Sequence, residues 1–221
     1  MVAIRDGMPV VLSVKASRTP GLRVVLLEDG RRFRLPAEVV HRWRLEPGSS
    51  LTQEQVEALG GEAMRAHAQD AALRLLAVRA RSAAELTERL RRRGIDDSLV
   101  RAVVADLRAR GYLDDESFAL EWVRHRLEQG TWGIERIRWE LRGKGIPPDL
   151  VERAIRAQGG NDPSAEEERR ARAAALRQIG RYAGLAPPVR RRRLAAFLQR
   201  RGFSPGTIAR IVRAGRDLSD A

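Results

Sequence analysis

The chain has 221 residues, and its 42 Lys and Arg outnumber its 29 Asp and Glu, which gives a formal net charge of +13. It has no cysteine, which excludes disulfides, thiolate zinc sites, iron–sulfur clusters and cysteine nucleophiles. No apolar segment reaches the ~20 residues that a bilayer-spanning helix needs. Charged Arg5 and Asp6 stand where a signal peptide would be apolar, so we expect a soluble, cytoplasmic protein.

The excess positive charge is unevenly distributed. Residues 161–221 have 14 basic and 6 acidic side chains, whereas residues 111–160 have 8 and 9. Codon bias can account for the scarcity of lysine, but it does not account for the excess of basic over acidic residues. A neutral middle between basic flanks therefore indicates separate surfaces, and it favours nucleic acid as a direct or indirect partner.

Residues 1–50 read as a small β module. Two segments rich in β-branched and aliphatic residues, 10–14 and 22–27, are separated by Pro20-Gly21. Asp29-Gly30 then precedes 31–35, where apolar residues alternate with arginines, and Asp-Gly between such segments is a strong hairpin signal. We expect about three strands, followed by a short helical turn over 36–43.

From Thr52 onward the pattern is helical and contains an internal repeat. The segment Leu90–Ile95 recurs as Leu141–Ile146 and again as Leu198–Phe203, each with a glycine in the fifth position. Apolar residues at fixed offsets before each glycine predict one buried helix face. They are Leu86 and Leu90, Ile137 and Leu141, and Leu194 and Leu198.

The glycines Gly94, Gly145 and Gly202 are predicted to stand in the left-handed conformation just past a helix end. The next helix then begins at once, with Asp96, Pro147 and Ser204 at the cap position and Asp97, Pro148 and Pro205 at the first helical position. An earlier helix in each repeat is expected over 67–79, 115–129 and 165–183. Ser82 with Glu85, and Ser164 with Glu167, have the spacing of capping boxes.

The predicted architecture is mainly α. It has a β module at 1–50, a linker helix and first three-helix repeat at 51–110, a second repeat at 111–160 and a third at 161–221. Tandem repeats of this size stack on one another, so we expect an elongated, curved array.

The best candidate for catalysis is the carboxylate cluster Asp114-Asp115-Glu116, which could bind Mg²⁺. The favoured interpretation is structural, with Asp114 capping the next helix and the acidic side chains complementing the helix dipole. No nucleophile–base pair and no phosphate-binding loop of the GxxxxGK type is recognisable. We therefore expect no enzyme activity, no metal and no cofactor.

The basic clusters are the stronger candidates for binding. Cations near a helix C-terminus are favoured by the dipole, so Arg91, Arg92, Arg93, Arg200 and Arg201 have a structural explanation beside a functional one. The run Arg190, Arg191, Arg192 and Arg193 stands at a predicted helix start, where positive charge is disfavoured. A phosphate or an acidic partner is therefore the favoured explanation for this run.

Aromatic residues gather in the neutral middle repeat. Aromatic side chains beside arginines can stack on bases, but at helical spacing such residues are more often core, and we favour the core interpretation. Among these aromatic residues, Trp132 is the candidate for a contact with nucleic acid or a partner. The aromatic residues are Tyr112, Phe118, Trp122, Trp132 and Trp139.

The middle of the chain resembles the RecX family. The resemblance rests on Arg81-Ser82, Glu85-Leu86 and Leu90, on Arg-Gly-Ile at 93–95, and on the segment from Gly111 to Ala119. It continues through Trp122-Val123, Arg126, Glu140-Leu141 and Lys144-Gly145-Ile146. The match covers roughly residues 68–157, and the third repeat fits only through the glycine pattern. Gly111, Tyr112, Leu113, Asp114, Asp115 and Phe118 are interpreted as structural residues at the junction between repeats.

The resemblance implies a bacterial, non-enzymatic regulator of the RecA recombinase, built from tandem three-helix repeats. It would bind the RecA–DNA filament, limit ATP hydrolysis and strand exchange, bind single- and double-stranded DNA, and act as a monomer in DNA repair and the SOS response. The alternative is a stand-alone DNA-binding protein that regulates transcription. Such a reader usually dimerises and presents Asn, Gln or Arg to bases. The chain has no evident dimerisation helix and little Asn or Gln, so the alternative is weaker.

Overall fold

The computed structural model describes residues 8–158, 160 and 162–214 of the chain. These residues form two compact units. The first contains the residues up to Arg79 together with Leu86–Arg110, and the second contains Ala80–Glu85 together with the residues from Gly111 onward. The fold is mainly helical with one small sheet, as predicted.

The first unit begins with an antiparallel sheet of three strands in sequential order. They are β1 (Val11–Ala16), β2 (Leu22–Leu27) and β3 (Arg32–Pro36), followed by the short helix α1 (Ala37–Arg42). The Asp29-Gly30 turn forms as the sequence predicts, with the Asp29 carboxylate accepting a hydrogen bond from the Arg31 amide at 2.9 Å. Alternation places one face of the sheet in the core, which includes Val25, Leu27 and Leu35.

Helix α2 (Gln53–Val78) is longer than predicted. The residues assigned to a linker helix and to a separate helix over 67–79 form one continuous helix of 26 residues. A reciprocal capping box between Thr52 and Gln55 fixes its start, and no proline interrupts it. Gly60 lies close to the ring of Phe33, so the helix approaches β3 there without a side chain between them. Helix α4 (Asp97–Ala109) packs on α2 and follows α3 (Ala83–Arg91).

The second unit continues with six helices in its described residues. They are α5 (Asp115–Glu128), α6 (Ile134–Gly143), α7 (Pro148–Gln158), α8 (Pro163–Ile179), α9 (Pro187–Arg200) and α10 (Pro205–Ala214), with a 3₁₀ turn at Gly180–Tyr182. Two apolar clusters hold them, one among α5, α6 and α7 and the other among α8, α9 and α10. The predicted three-helix repeats are therefore present in tandem.

The predicted glycine caps are confirmed at all three positions. Gly94, Gly145 and Gly202 have φ values of 74°, 72° and 77°. In each case the amide of the residue after the glycine donates to the carbonyl five residues earlier, for example from Phe203 to Leu198 at 3.2 Å. The six apolar residues predicted to be buried before the glycines are at most 2% exposed.

One predicted capping box is wrong. Ser82 accepts a hydrogen bond from the Glu85 amide at 3.0 Å, as expected. Ser164, however, lies inside α8, and Asp162 is the residue that caps this helix. Glu167 is buried instead, where it accepts hydrogen bonds from the hydroxyls of Ser204 at 2.7 Å and Thr207 at 2.8 Å. Pro163 at the first helical position moves the cap two residues upstream of the predicted one.

Candidate nucleic-acid and partner interface

The arginine run at 190–193 lies in the first half of α9, where Arg190 is half-buried and the other three side chains are exposed. Among the described residues none of the four forms an ion pair. The N-cap residue Ala186 provides no side-chain hydrogen bond, and Pro187 and Pro188 occupy the first two helical positions. The run adds cations to the positive end of a helix dipole, so the local fold gives no reason for this charge.

Two of the three arginines at the end of α3 form ion pairs with nearby acidic residues. Arg91 pairs with Asp97 at 2.8 Å, and Arg92 pairs with Glu88 at 2.8 Å. All three side chains of this cluster are exposed. Within the described part of the chain Arg93 has no ion pair, so its charge is available to a partner.

The two arginines at the end of α9 differ from each other. Arg200 is exposed, whereas Arg201 lies over the ring of Trp132 at 4.6 Å and over that of Phe197 at 5.3 Å. Cation–π contacts at these distances stabilise by about 0.5–1 kcal/mol each. Arg201 therefore has a structural role in holding α9 against the segment before α6.

Tryptophans and arginines alternate across α5 and α6 in what we term the aromatic–arginine ladder. Arg126 lies 4.9 Å from the ring of Trp122 and 5.7 Å from that of Trp132. Arg136 lies 5.6 Å from Trp132 and 4.4 Å from Trp139. Each guanidinium is thus placed between two indole rings, which restricts its side-chain motion.

A single carboxylate, Glu140, supports the ladder from beneath. Its side chain is 10% exposed and accepts hydrogen bonds from Trp122 Nε1 at 3.0 Å, Arg126 Nε at 2.8 Å and Arg136 Nε at 3.2 Å. Because both arginines already have their anion here, the ladder presents a fixed aromatic surface with little free positive charge.

The expectation that the aromatic residues form core is wrong for two of the five. Phe118 is 9% exposed, and Trp122 and Trp132 are half-buried, but Tyr112 is 60% exposed and Trp139 is 63% exposed. Trp139 stands at the outer end of the ladder and was not predicted as a contact. The four-residue spacing from Trp122 to Arg126, and from Trp132 through Arg136 to Glu140, is the sequence signal that could have revealed the ladder.

The carboxylates of the Asp114-Asp115-Glu116 cluster each have a structural partner. Asp114 caps α5, and the Ser117 hydroxyl and the amides of residues 117 and 116 donate to its carboxylate and lower its pKa. Asp115 accepts from the Ala83 amide at 2.8 Å, and Glu116 lies 3.5 Å from Arg153. The part of the chain that the structure describes holds no cluster of three potential metal ligands.

Within the second unit, the start of one repeat's middle helix contacts the glycine at the end of the next repeat's middle helix. We term these contacts, at Gly202 and Gly145, joints. The amides of Gly133 and Glu135, at the start of α6, donate to the carbonyls of Arg201 and Gly202 at 2.9 and 3.0 Å. A Cβ added at Gly202 would overlap with the backbone of Arg136. Carbonyls that have no intrahelical partner at the end of α9 therefore accept hydrogen bonds from amides that have none at the start of α6.

The same joint recurs one repeat earlier. The Ser82 hydroxyl, just before α3, donates to the carbonyl of Lys144 at 2.6 Å, and Lys144 Nζ pairs with Glu85 at 2.9 Å. A Cβ at Gly145 would overlap with the Cβ of Ala84. In both joints the first turn of one repeat's middle helix packs on the glycine that ends the next repeat's middle helix.

Comparison with protein families identifies the repeats. The model of the first RecX three-helix domain matches residues 68–115, that of the second matches 114–155, and that of the third matches 166–212. Together these matches span more than half of the chain. The chain belongs to the RecX family.

Curated RecX relatives support the same assignment. The regulatory protein RecX of Thermobifida fusca is 38% identical over 152 residues, which are 69% of this chain and 80% of the relative. That of Halorhodospira halophila is 39% identical over 154 residues, which are 68% of this chain and 89% of the relative. The resemblance predicted from the sequence is therefore confirmed.

Solved structures agree on the fold. The crystal structure of a regulatory protein RecX aligns with a TM-score of 0.74 at 23% identity, covering 92% of this chain and 98% of that one. The structure of RecX from Lactobacillus salivarius aligns with a TM-score of 0.60 at 21% identity, covering 72% and 98%.

The family domains locate the candidate residues within the RecX architecture. Arg91–Arg93 lie in the first domain, the ladder lies in the second, and Arg190–Arg193 with Arg200 and Arg201 lie in the third. The β module lies outside all three matches. No helix in the described parts of the chain is long and apolar enough to cross a membrane.

Proposed function

We propose that the chain is a regulator that binds the RecA recombinase filament on DNA and lowers its ATPase and strand-exchange activity. The observation that carries this proposal is the match of all three RecX domains, because the relatives that share them are named regulatory proteins. The structural partners of Asp114-Asp115-Glu116 support a role in binding rather than catalysis. In this proposal the protein acts as a monomer in the bacterial cytoplasm and takes part in recombination and repair.

The unpaired arginines support an accessory, sequence-independent contact with DNA. Arg190–Arg193 have no ion-pair partner among the described residues, so their charge is free to neutralise phosphates, a contact that does not depend on base sequence. We assign Arg93 and Arg200 to partner contacts and Arg201 to the support of Trp132. The exposed ring of Trp139 is the surface on which a single-stranded base would stack.

The decisive experiment measures the ATPase of the cognate RecA on single-stranded DNA, titrated with this protein while DNA is in excess. Excess DNA removes simple competition for DNA sites, so a filament binder still inhibits whereas a competitor inhibits little. We expect inhibition at substoichiometric or stoichiometric amounts relative to RecA. Lack of inhibition together with tight binding to naked DNA would instead favour the stand-alone DNA-binding regulator.

The base-stacking role of Trp139 is tested by fluorescence. Single-stranded oligothymidylate should quench the tryptophan emission of the wild type. Trp139→Ala should lose affinity by about 5- to 150-fold, which corresponds to one stacked base. Tyr112→Ala is the matched control, since Tyr112 is equally exposed but lies outside the ladder. Equal affinities of the two variants would remove Trp139 from the DNA surface.

A further inference from the structure

The first repeat ends its middle helix without the joint that the other two repeats possess. Gly145 and Gly202 each receive the first turn of a helix, with backbone or Cβ atoms closer than an added Cβ would allow. A Cβ at Gly94 would meet no atom within 4 Å. The carbonyls of Arg93 and Gly94, which correspond to the acceptors in the occupied joints, accept no hydrogen bond from the described residues.

Burial of the neighbouring residues shows the same difference. The residue after the glycine is 3% exposed in the second and third repeats, where it is Ile146 and Phe203. The equivalent Ile95 is only half-buried. It lines an open groove of about 580 Å³ together with Phe33, Met64 and Leu99. Met64 is 61% exposed, so the groove presents apolar surface to solvent.

The residue before the glycine defines what the groove would recognise. It is a cation in every repeat, and in the occupied joints it contacts the incoming segment. Lys144 pairs with Glu85 in the first turn of α3, and Arg201 stacks on Trp132 just before α6. The equivalent Arg93 is exposed and has no ion pair within the described residues, while Arg32 adds a second cation to the rim.

We infer that the groove at Gly94 and Arg93 binds the N-terminal turn of a helix from a partner protein, with a small residue at its start and a carboxylate in its first turn. The small residue corresponds to Ser82 and Gly133, which hold the equivalent position in the two internal joints and donate to the carbonyls of Lys144 and Arg201. The carboxylate corresponds to Glu85. The amides of such a turn would donate to the free carbonyls at the end of α3. The carboxylate would pair with Arg93.

A second copy of this chain is a poor occupant. Its own docking segments at 82–85 and 133–136 are already engaged in the second unit. The equivalent segment of the third repeat is Arg190–Arg193, which is cationic and lies inside a helix that already begins at Pro187. Like charges would face one another at Arg93. Resting on the proposed function, we assign the occupant to the RecA filament.

The test uses two variants of the full chain, each with one charge reversal, at two adjacent arginines. Arg93→Glu reverses the cation that faces the groove, and Arg92→Glu reverses its neighbour, which pairs with Glu88. Both variants change the net charge equally. We expect Arg93→Glu to raise the concentration needed for half-inhibition of the RecA ATPase at least about tenfold, because a carboxylate would then face a carboxylate. Arg92→Glu should change it less than about twofold, as for a solvent-exposed pair.

A second pair of variants tests the apolar part of the groove. Met64→Glu should also weaken inhibition, whereas Leu73→Glu should not, since Leu73 is an exposed apolar residue of α2 outside the groove. Equal effects of Arg93→Glu and Arg92→Glu, with an active wild type, would overturn the groove assignment alone. An inactive wild type would overturn the proposed function instead.

Two further measurements, naked-DNA affinity and oligomeric state, test whether DNA or a second copy of the chain binds the groove. A larger loss of naked-DNA affinity for Arg93→Glu than for Arg92→Glu would make the groove a DNA contact and overturn the inference. A dimer seen by sedimentation equilibrium that Arg93→Glu dissociates would assign the groove to a second copy, which also overturns it. Unchanged DNA affinity and a monomeric wild type support the inference.

Discussion

Glu140 is the residue on which the aromatic–arginine ladder depends, since one indole and two guanidinium groups donate to its carboxylate. Glu140→Ala would leave Arg126 and Arg136 without their anion. We expect a loss of about 1–3 kcal/mol in the free energy of unfolding, measured by urea denaturation. The tryptophan emission of the native protein should shift as Trp122 loses its hydrogen bond.

Glu121→Ala is the control for this variant. Glu121 pairs with Arg124 at 2.5 Å, but both side chains are more than half exposed. Its removal should cost less than about 1 kcal/mol. A loss as large as that of Glu140→Ala would show that burial of the carboxylate under the ladder is not what matters.

The cap of α5 gives a pH dependence with a definite sign. The Ser117 hydroxyl and the backbone amides hold the pKa of Asp114 below its ordinary value. The stability from this cap is therefore present above the pKa of unfolded Asp, about 3.9, and is lost as the pH falls further through the folded pKa. Asp114→Asn keeps a capping oxygen but cannot titrate. The difference in stability between wild type and variant should thus shrink below about pH 4, as measured by thermal denaturation.

The sequence predicted the Asp114 cap because an N-cap depends on residues adjacent in the chain. It did not predict the partners of Glu140 or Glu167, because these depend on which helix faces meet. Trp122 and Arg126 share one helix face, but the carboxylate beneath them comes from a different helix. Only the packing of α5 against α6 brings the three groups together.

At the scale of elements, the joint before α3 is sensitive to one hydroxyl. Ser82 is fully buried, accepts from the Glu85 amide and donates to the Lys144 carbonyl. Ser82→Ala removes both hydrogen bonds, so we expect a loss of about 1–3 kcal/mol in the free energy of unfolding. Urea denaturation followed by circular dichroism measures it.

Ser164→Ala serves as the matched variant, because Ser164 has the same spacing to a glutamate but lies exposed inside α8. Its cost should stay below about 0.5 kcal/mol, as for most surface substitutions. If the two serines proved equally important, the cap at Asp162 and the joint at Ser82 would both be misassigned.

The arginine run of α9 is predicted to contribute to the salt dependence of DNA binding. Replacing Arg190–Arg193 with Ala should flatten the dependence of log affinity for duplex DNA on log salt concentration, because fewer counterions are then released on binding. The slope should fall by up to ~0.9 for each phosphate that the variant no longer neutralises. Binding isotherms at several salt concentrations give the slope.

The control for the run replaces four arginines that already pair with an acidic residue three or four positions earlier in the chain. They are Arg74, Arg92, Arg110 and Arg124. This variant loses the same charge but should alter the slope less. Identical slopes in the two quadruple variants would show that Arg190–Arg193 affect DNA binding only through the net charge of the protein.

Sequence repetition predicted the elements well because each repeat carries its own glycine cap, buried leucines and helix start. The continuity of α2 was not predicted, because tertiary packing, not a local signal, decides whether two helical stretches join. Gly60 lies beside Phe33, and α2 runs past the sheet there without interruption. A glycine pair in the sequence alone would instead suggest a break.

At the scale of the whole molecule, the net charge of +13 affects kinetics more than it affects the fold. Neutralising Arg190–Arg193 should slow association with the RecA filament at low salt and leave dissociation almost unchanged. Stopped-flow or surface-based kinetics at two salt concentrations measure both rates. A change confined to dissociation would mean that the run makes close contacts in the bound state.

Each joint between consecutive repeats combines main-chain carbonyls and a glycine with a small number of specific side chains, such as Ser82 and Lys144 in one and Trp132 and Arg201 in the other. Such a joint constrains few side-chain identities, so the outer faces of the helices are free to change in evolution while the connection is preserved. Each repeat can then acquire its own chemistry, as the charge-poor ladder of the second repeat and the arginine-rich helix of the third illustrate. A duplicated unit would join the array with its connection already formed, and selection would act mainly on what its surface binds.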